Sequence, residues 1–308
     1  MTTSSAPGKI ILFGEHAVVY GRPALAVPVT HVHADVEVLD SPRPGIWIEA
    51  PDVNLHAELN TLPSDHPVAS VIHNFLFFSR VSRFPNLDIK ILSTIPVASG
   101  LGSGAAVTVA LTRALAVHLD HAMTEEEVNA FAYEIEKLHH GTPSGIDNTV
   151  ITYARPVYYV KDQPIETFHV RKPFTIVIAD TGISAPTKES VGDVRRLWLN
   201  DRSRWETIFD KIGEISFTAR RAIEAGRPEL LGDLMNENHA VLKTLTVSSP
   251  ELDTLVKAAC SAGALGAKLS GGGRGGNMIA LVEPEKAETV SRALKEANAA
   301  NTIITQVL

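Results

Sequence analysis

Two glycine clusters, each set against an apolar strand-like run, constrain this chain more than any other feature. Gly100-Leu101-Gly102-Ser103-Gly104 follows the alternating run Leu87 to Leu92 and opens a segment of helical periodicity. Gly271 to Gly276, interrupted only by Arg274, stands between Ala267-Lys268-Leu269 and the apolar stretch 277–282. Glycine admits backbone conformations closed to other residues, so its N–H groups can come close to a ligand. A helix N-terminus behind such a turn adds a dipole that favours anions. Both clusters are candidate phosphate cradles.

Neither is a common nucleotide fingerprint. Gly100-x-Gly102-x-x-Ala105 fits the dinucleotide pattern, with Asp120 at a suitable distance, but that reading requires a second parallel strand ending at the acid. The residues before Asp120 belong to the helical segment itself. Gly271-x-Gly273-x-x-Gly276 also fits the pattern but runs into a strand, not a helix. The chain has no Gly-x4-Gly-Lys-Ser/Thr segment, which excludes an ordinary P-loop NTPase.

Around these clusters the periodicity predicts strands and helices in blocks. Lys9–Phe13, Ala34–Val38 and Leu87–Leu92 read as strands, and 66–79 as a helix. Val107, Leu111, Leu115 and Leu119 recur every four residues and stripe one helical face. Thr124 with Glu127 makes a capping box for a second helix, with Val128, Phe131, Ile135 and Leu138 on its apolar face and Gly141 and Pro143 at its end. Beyond it, strands are expected at 157–160 and 174–180, and helices at 204–225, 228–243 and 250–262. The chain ends with a helix at 284–298 and a strand at 302–308. Such blocks favour α+β over regular βαβ alternation. A domain boundary is placed near residue 170, at Val170-Arg171-Lys172-Pro173, giving domains 1–170 and 171–308.

Composition narrows the partners. The 308 residues are 44% hydrophobic and 20% charged, with a formal charge of −7, which suits a cored globular protein and not a nucleic-acid binder. An anionic ligand is still compatible, because local cations and backbone amides can hold a phosphate in an acidic protein. Cys260 is the one cysteine, so no intrachain disulfide can form, and its alanine-rich surroundings predict a buried small residue. No secretory signal and no apolar run of membrane-spanning length is visible, so a cytoplasmic, membrane-free location is expected.

Read in order, Pro7-Gly8-Lys9 through Gly21, Pro96 through Ala106, and Lys268 through Gly276 resemble the three motifs of the GHMP kinases. Glu15-His16-Ala-Val-Val-Tyr-Gly and His140-Gly-Thr-Pro-Ser-Gly-Ile-Asp147-Asn148 resemble the mevalonate kinase branch in particular, and Thr187-Lys188-x-x-Val191-x-x-Val194-Arg195 adds a further matching segment. The resemblance implies a two-domain α+β GHMP kinase fold. Its N-terminal domain would be ribosomal S5 domain 2-like, and its C-terminal domain ferredoxin-like. It also implies Mg²⁺-dependent transfer of phosphate from ATP to (R)-mevalonate, giving 5-phosphomevalonate on the mevalonate route to isoprenoids. The small-molecule partners would be ATP and mevalonate, and a homodimer is compatible with the family. Two alternatives stay open: a kinase for another small alcohol, such as phosphomevalonate, and a catalytically silent binding or regulatory member of the fold.

Roles carry over from the resemblance. Asp147 becomes the carboxylate that accepts or orients the substrate hydroxyl proton, and Lys9 resembles the family lysine that accompanies it. Glu15, His16 and Thr187 match substrate-contacting positions. Pro96, Ser99, Gly100, Leu101, Gly102, Ser103, Gly104, Ala105, Gly271, Gly272 and Gly273 fall in the ATP-binding segments. Glu136, eleven residues before Asp147, has the spacing of the Mg²⁺ ligand. A solvated helix glutamate, an exposed strand-end lysine and an aspartate helix cap are the plain structural readings of Glu136, Lys9 and Asp147. Gly104 stands where many relatives carry a second, metal-binding serine, which shifts that duty toward Glu136, water or Ser103. Arg274 replaces a family glycine, where its guanidinium would hold phosphate or face solvent. Adjacent His139 and His140 would point about 100° apart on a helix, a poor chelating pair better suited to a helix C-terminus.

Overall fold

The computed structural model describes residues 1–81, 84–96, 99–140, 143–164 and 166–308. They form two compact units that interleave along the sequence. The first holds Met1–Gly8, Val32–Val97 and Leu101–Ala154; the second holds Lys9–His31, Ala98–Gly100 and Arg155–Leu308. Strands β1 (Thr2–Phe13) and β2 (Ala24–Asp40) each contribute residues to both.

In the first unit the later part of β2 runs antiparallel to β5 (Leu87–Ser93), with Val36 opposite Ile91 and Val38 opposite Ile89. Strand β3 (Ile46–Ala50) lies parallel to β5, and β4 (Leu55–Glu58) antiparallel to β3. Ala34, Val36 and Val38 are buried while Asp35 and Glu37 between them are not, the period-two pattern of a sheet with one covered face. Four helices accompany the sheet: α1 (Pro67–Phe78), α2 (Ser103–His118), α3 (Glu125–His140) and α4 (Ile146–Tyr153). Helix α2 packs against the other three and against β5, so it is buried well beyond the expected four-residue stripe. Ala105, Ala106, Val109, Ala110 and Ala114 fill that wider face, where small side chains let neighbouring helices approach. The capping box forms as expected: the Thr124 N–H donates to Glu127 Oε2 at 2.8 Å, and the Glu127 N–H to Thr124 Oγ1 at 3.2 Å. Val128 and Ile135 are buried, whereas Leu138 of the expected apolar face is exposed. Gly141, one of the expected helix-ending residues, lies outside the described residues.

The second unit is built on a four-stranded antiparallel sheet in the order β11 (Asn301–Val307), β8 (Phe174–Asp180), β10 (Asn277–Val282), β9 (Gly266–Leu269). Ile279 of β10 faces Ile178 of β8 and Lys268 of β9. The early part of β2 pairs with β6 (Val157–Tyr159), which pairs with β7 (Glu166–Thr167). Helices α5 (Thr187–Asn200), α6 (Arg202–Glu224), α7 (Leu231–Thr244), α8 (Pro250–Ser261) and α9 (Ala287–Glu296) complete the unit. Trp205, Phe209, Leu242, Leu252, Leu255, Met278 and Val290 join one apolar core, and Tyr20 stacks on Phe209 with ring centroids 4.1 Å apart. Cys260 corrects an expectation: it is exposed on α8, because the residues that face the core are Leu252, Leu255, Val256 and Ala259.

Two helices escaped the periodicity reading. In α4 the run Thr149-Val150-Ile151-Thr152-Tyr153 has strand propensity, and burial of Ile146, Val150 and Ile151 overrides it. Helix α5 has a glycine and two β-branched valines that dilute its helical signal, yet it closes on the core through Val194.

Candidate active site

In the first unit, candidate residues stand at helix starts. Gly102 is the residue before α2 and has φ 78°, a left-handed conformation that only glycine adopts cheaply. It turns the chain so that Ser103, Gly104 and Ala105 form the first helical turn. First-turn N–H groups have no intrahelical acceptor, which makes this end a ready anion cradle. Leu101 is buried beneath it, and a Cβ added to Gly104 would meet nothing within 4 Å.

Asp147 repeats this construction. It lies in the first turn of α4, directly after Ile146 and the left-handed Gly145, and it is half-buried. Its neighbours are fixed. Asn148 donates to Asn129 Oδ1 on α3 at 2.6 Å, and Thr149 Oγ1 donates to the Gly145 carbonyl at 2.6 Å. Arg113 of α2 donates to the Thr152 carbonyl at 2.5 Å and to Glu125 of α3 at 2.8 Å, bracing the far end. The aspartate therefore projects from a helix clamped on two sides, and the positive helix end supports its charge. Glu136 is half-buried on α3, the helix packed against α4, and His139 and His140 are the last two residues of α3.

In the second unit, candidates gather on the seven-residue turn 270–276 between β9 and β10. Ser270 Oγ donates to the Ile11 carbonyl on β1 at 2.7 Å, two residues beyond buried Lys9. The Asn277 amide donates to the Ser99 carbonyl and lies against Gly100. A Cβ on Gly272 would stand 2.9 Å from Thr187 Oγ1, so the first residue of α5 abuts the loop. A Cβ on Gly273 would lie 1.9 Å from the Val247 carbonyl oxygen, which leaves room for glycine alone. Residues from four distant parts of the sequence thus meet around one hairpin.

His16 sits in the left-handed region, φ 62°, and places Nε2 3.1 Å from the Gly272 carbonyl. A carbonyl only accepts, so Nε2 carries the hydrogen and Nδ1 is an acceptor. Burial, opposed by that hydrogen bond and joined by the nearby Arg274 charge, lowers the His16 pKa to about 4 and keeps the ring neutral. Nδ1 is buried with no hydrogen-bond partner among the described residues. Glu15 is turned inward: its side chain is fully buried, paired with Lys268, and its Oε2 accepts from Asn238 at 3.2 Å. Lys268 also donates to the Leu269 carbonyl at 2.6 Å, and burial, partly offset by Glu15, lowers its pKa. His239 continues the strut. Its Nδ1 accepts from the Leu269 N–H at 3.3 Å, and its Nε2 donates to Asp253 at 3.1 Å.

Lys268, Asn238, Asn277 and Ser270 are supporting residues that the sequence reading did not single out. The one available signal was a lysine inside an apolar strand, since a buried lysine demands a partner. Arg274 is engaged by neighbours within the unit. Its Nη1 meets Asp193 Oδ2 at 2.5 Å, and its Nε donates to the Thr246 carbonyl at 3.2 Å. Among the described residues no group of three or more His, Cys, Asp or Glu side chains is arranged to hold a metal. The candidate donors, Glu136 and Ser103, are single oxygen groups that suit Mg²⁺, which keeps waters and takes phosphate oxygens as ligands.

Comparison with known proteins follows the same division. Residues 68–155 match the model of the GHMP kinases N terminal domain, and 219–300 that of the GHMP kinases C terminal. Mevalonate kinase of Pyrococcus abyssi is 37% identical, over 96% of this chain and 93% of its own. Among solved structures, L. major mevalonate kinase in complex with R-mevalonate superposes with a TM-score of 0.88 at 29% identity, covering 100% of this chain and 96% of that one. Methanococcus jannaschii mevalonate kinase gives 0.85 at 27%, covering 99% and 96%.

Proposed function

Since the chain belongs to the mevalonate kinase family of the GHMP kinases, with their two-domain α+β fold, we propose that it transfers the γ-phosphoryl group of ATP to the C5 hydroxyl of (R)-mevalonate. Kinase chemistry of the GHMP type follows from membership; the acceptor is the proposal. The observation that carries it is the gathering of His16, Thr187, Ser99 and the strand of Lys9 on the glycine hairpin. Of these, His16 lies in the segment that resembles the mevalonate kinase branch and Thr187 opens the further matching segment, while the others belong to the general GHMP motifs.

Phosphoryl transfer asks for positioning and charge stabilisation more than for covalent chemistry. The hydroxyl oxygen bonds to the γ-phosphorus as the bond to the β–γ bridging oxygen breaks, and ADP leaves. Asp147 takes the hydroxyl proton. In the first unit the amides of residues 103–105 offer a cradle for phosphate oxygens; in the second, Lys9 offers positive charge and the hairpin 271–273 further amides. Glu136 and Ser103 are the residues that would hold Mg²⁺, which would supply neutralisation of phosphate charge. His16, neutral and with Nδ1 bare, accepts a hydrogen bond from a substrate hydroxyl, and Thr187 Oγ1 offers a second contact. Glu15 serves the same site from behind, by fixing the turn that carries His16. The proposed boundary near residue 170 separates the two family segments, while by packing the second unit already resumes at Arg155.

A coupled ADP-release assay with a panel of acceptors tests the reading. Mevalonate is expected to give the highest kcat/KM, above phosphomevalonate, galactose and homoserine. A higher value for another alcohol would reassign the substrate, and ADP release no faster with any acceptor than without would support a binding role. Among the described residues no helix is long and apolar enough to cross a membrane.

A further inference from the structure

The glycine hairpin carries one large charged side chain, and the fold spends two unfavourable backbone conformations on holding it. Arg274 has φ 61° and Thr246 φ 58°. Positive φ is uncommon for any residue with a Cβ and a clear outlier for a β-branched one, so such positions persist only where the surroundings over-determine them. These two face each other. The Arg274 N–H donates to the Val247 carbonyl at 2.7 Å, and its Nε donates to the Thr246 carbonyl at 3.2 Å. The guanidinium is thereby aimed at α5, where Nη1 reaches Asp193 Oδ2 at 2.5 Å. Asp193 is oriented in turn by Arg196, one helical turn on, and the Arg274 hydrogen bond holds its carboxyl below the usual range. Both partners are about one-third exposed or less, so the pair is only partly screened by water.

We propose that Arg274 and Asp193 form a latch that ties the glycine hairpin to helix α5, a positioning pair for both substrates. Resting on the kinase reading above, it deepens that reading by naming what fixes the hairpin. The tie has a geometric consequence at both ends. Gly272, two residues before Arg274, abuts Thr187 at the start of α5, and its carbonyl receives His16. Asp193 lies on the same helix as Thr187, so the latch sets the spacing between the nucleotide hairpin and two proposed mevalonate contacts. The pair is a positioning device and not a phosphate ligand, since the guanidinium is already engaged by a carboxylate and a carbonyl.

Three variants decide the matter: Arg274→Gly, Asp193→Asn and the double variant. Glycine suits φ 61° better than arginine, so Arg274→Gly is expected to fold, and asparagine retains the size of Asp193 within the helix. Loss of the latch should raise KM for ATP and KM for mevalonate together, by about three- to tenfold, the range for a part-buried charged pair. The kcat should stay within about twofold, and the double variant should be no worse than either single one. Hydrogen exchange on the ligand-free protein gives a readout that needs no activity: amides of 271–276 and 187–190 should exchange faster in both single variants. If Arg274→Gly raises KM for ATP while Asp193→Asn leaves it unchanged or lowers it, the arginine binds phosphate directly and the latch is wrong. Wild-type kinetics and exchange in both single variants would also overturn it. Should the wild type fail on mevalonate, the kinase reading falls, and the exchange comparison still decides the latch.

Discussion

The two units hold their candidate residues in different ways. In the first, Ser103 and Asp147 each occupy the opening turn of a helix entered through a left-handed glycine, at φ 78° and 85°. Local helix geometry sets the direction of each, and packing of α2, α3 and α4 clamps the frame. In the second, His16, Ser99 and the hairpin are loop residues held by bonds between positions far apart in sequence: His16 to Gly272, Ser270 to Ile11 and Asn277 to Ser99. A helix start is self-contained, so a substitution there should change chemistry and leave the frame intact. A wired loop is cooperative, so removing one tie should disturb its neighbours and the stability of the unit.

The largest effect should separate the two regimes at once. Asp147→Asn retains size and hydrogen-bonding shape but removes charge and basicity, so kcat should fall by about 10²–10⁴-fold. Its melting temperature should stay near wild type, because Asn148, Thr149 and Arg113 hold α4 and the amide keeps the shape of the carboxylate. A near-normal kcat in the folded variant would move the catalytic role elsewhere.

Lys268→Met tests the wired side, and stability is the readout. It leaves the Glu15 carboxylate fully buried without its cation, and breaking such a pair costs about 3–5 kcal/mol. The double variant Glu15→Gln/Lys268→Met removes both charges and should recover much of that loss in denaturant melts. A single variant as stable as wild type would mean that the pair is not a structural tie.

A smaller, pH-dependent effect belongs to His16. Its folded pKa of about 4 lies below the unfolded value of 6.5, so the unfolded chain takes up a proton that the folded one refuses. Its contribution is therefore complete above pH 6.5 and lost as pH falls toward 4, on the order of 3 kcal/mol. His16→Asn, which tolerates φ 62°, should flatten the stability profile over that window relative to wild type. Identical slopes would place the imidazole in water and not in the site.

The smallest effect should be Gly104→Ser. Space is open around the Cβ, and residue 104 is helical, so the melting temperature should not move. If the hydroxyl joins the metal, the Mg²⁺ concentration for half-maximal activity should fall. Unchanged metal dependence would mean that Ser103 or water already fills that position.

How much was legible in advance follows the same contrast. Local signals were readable: the Thr124–Glu127 box, the helix at 67–78 and the strand at 277–282 form where expected. Ordered glycine motifs pointed to the family because each is a contiguous pattern. Helix α4 was not legible, since Thr149 to Tyr153 prefers a strand in isolation and only burial among α2 and α3 decides otherwise. The wiring was illegible for a different reason. Glu15 with Lys268, or Asn277 with Ser99, are pairings across most of the chain, and no local pattern encodes which partner a buried polar group will find. Glu15 shows the consequence: its motif marked it as a substrate contact, and the fold turns its carboxylate into the unit's interior.

The central claim is that this chain phosphorylates mevalonate, and product identification tests it most directly. Purified protein incubated with ATP, Mg²⁺ and (R)-mevalonate should yield 5-phosphomevalonate and ADP in equal amounts by mass spectrometry, with product nearly abolished in Asp147→Asn. Absence of phosphorylated mevalonate from the wild-type reaction, under conditions where the protein is folded and binds ATP, would contradict the account.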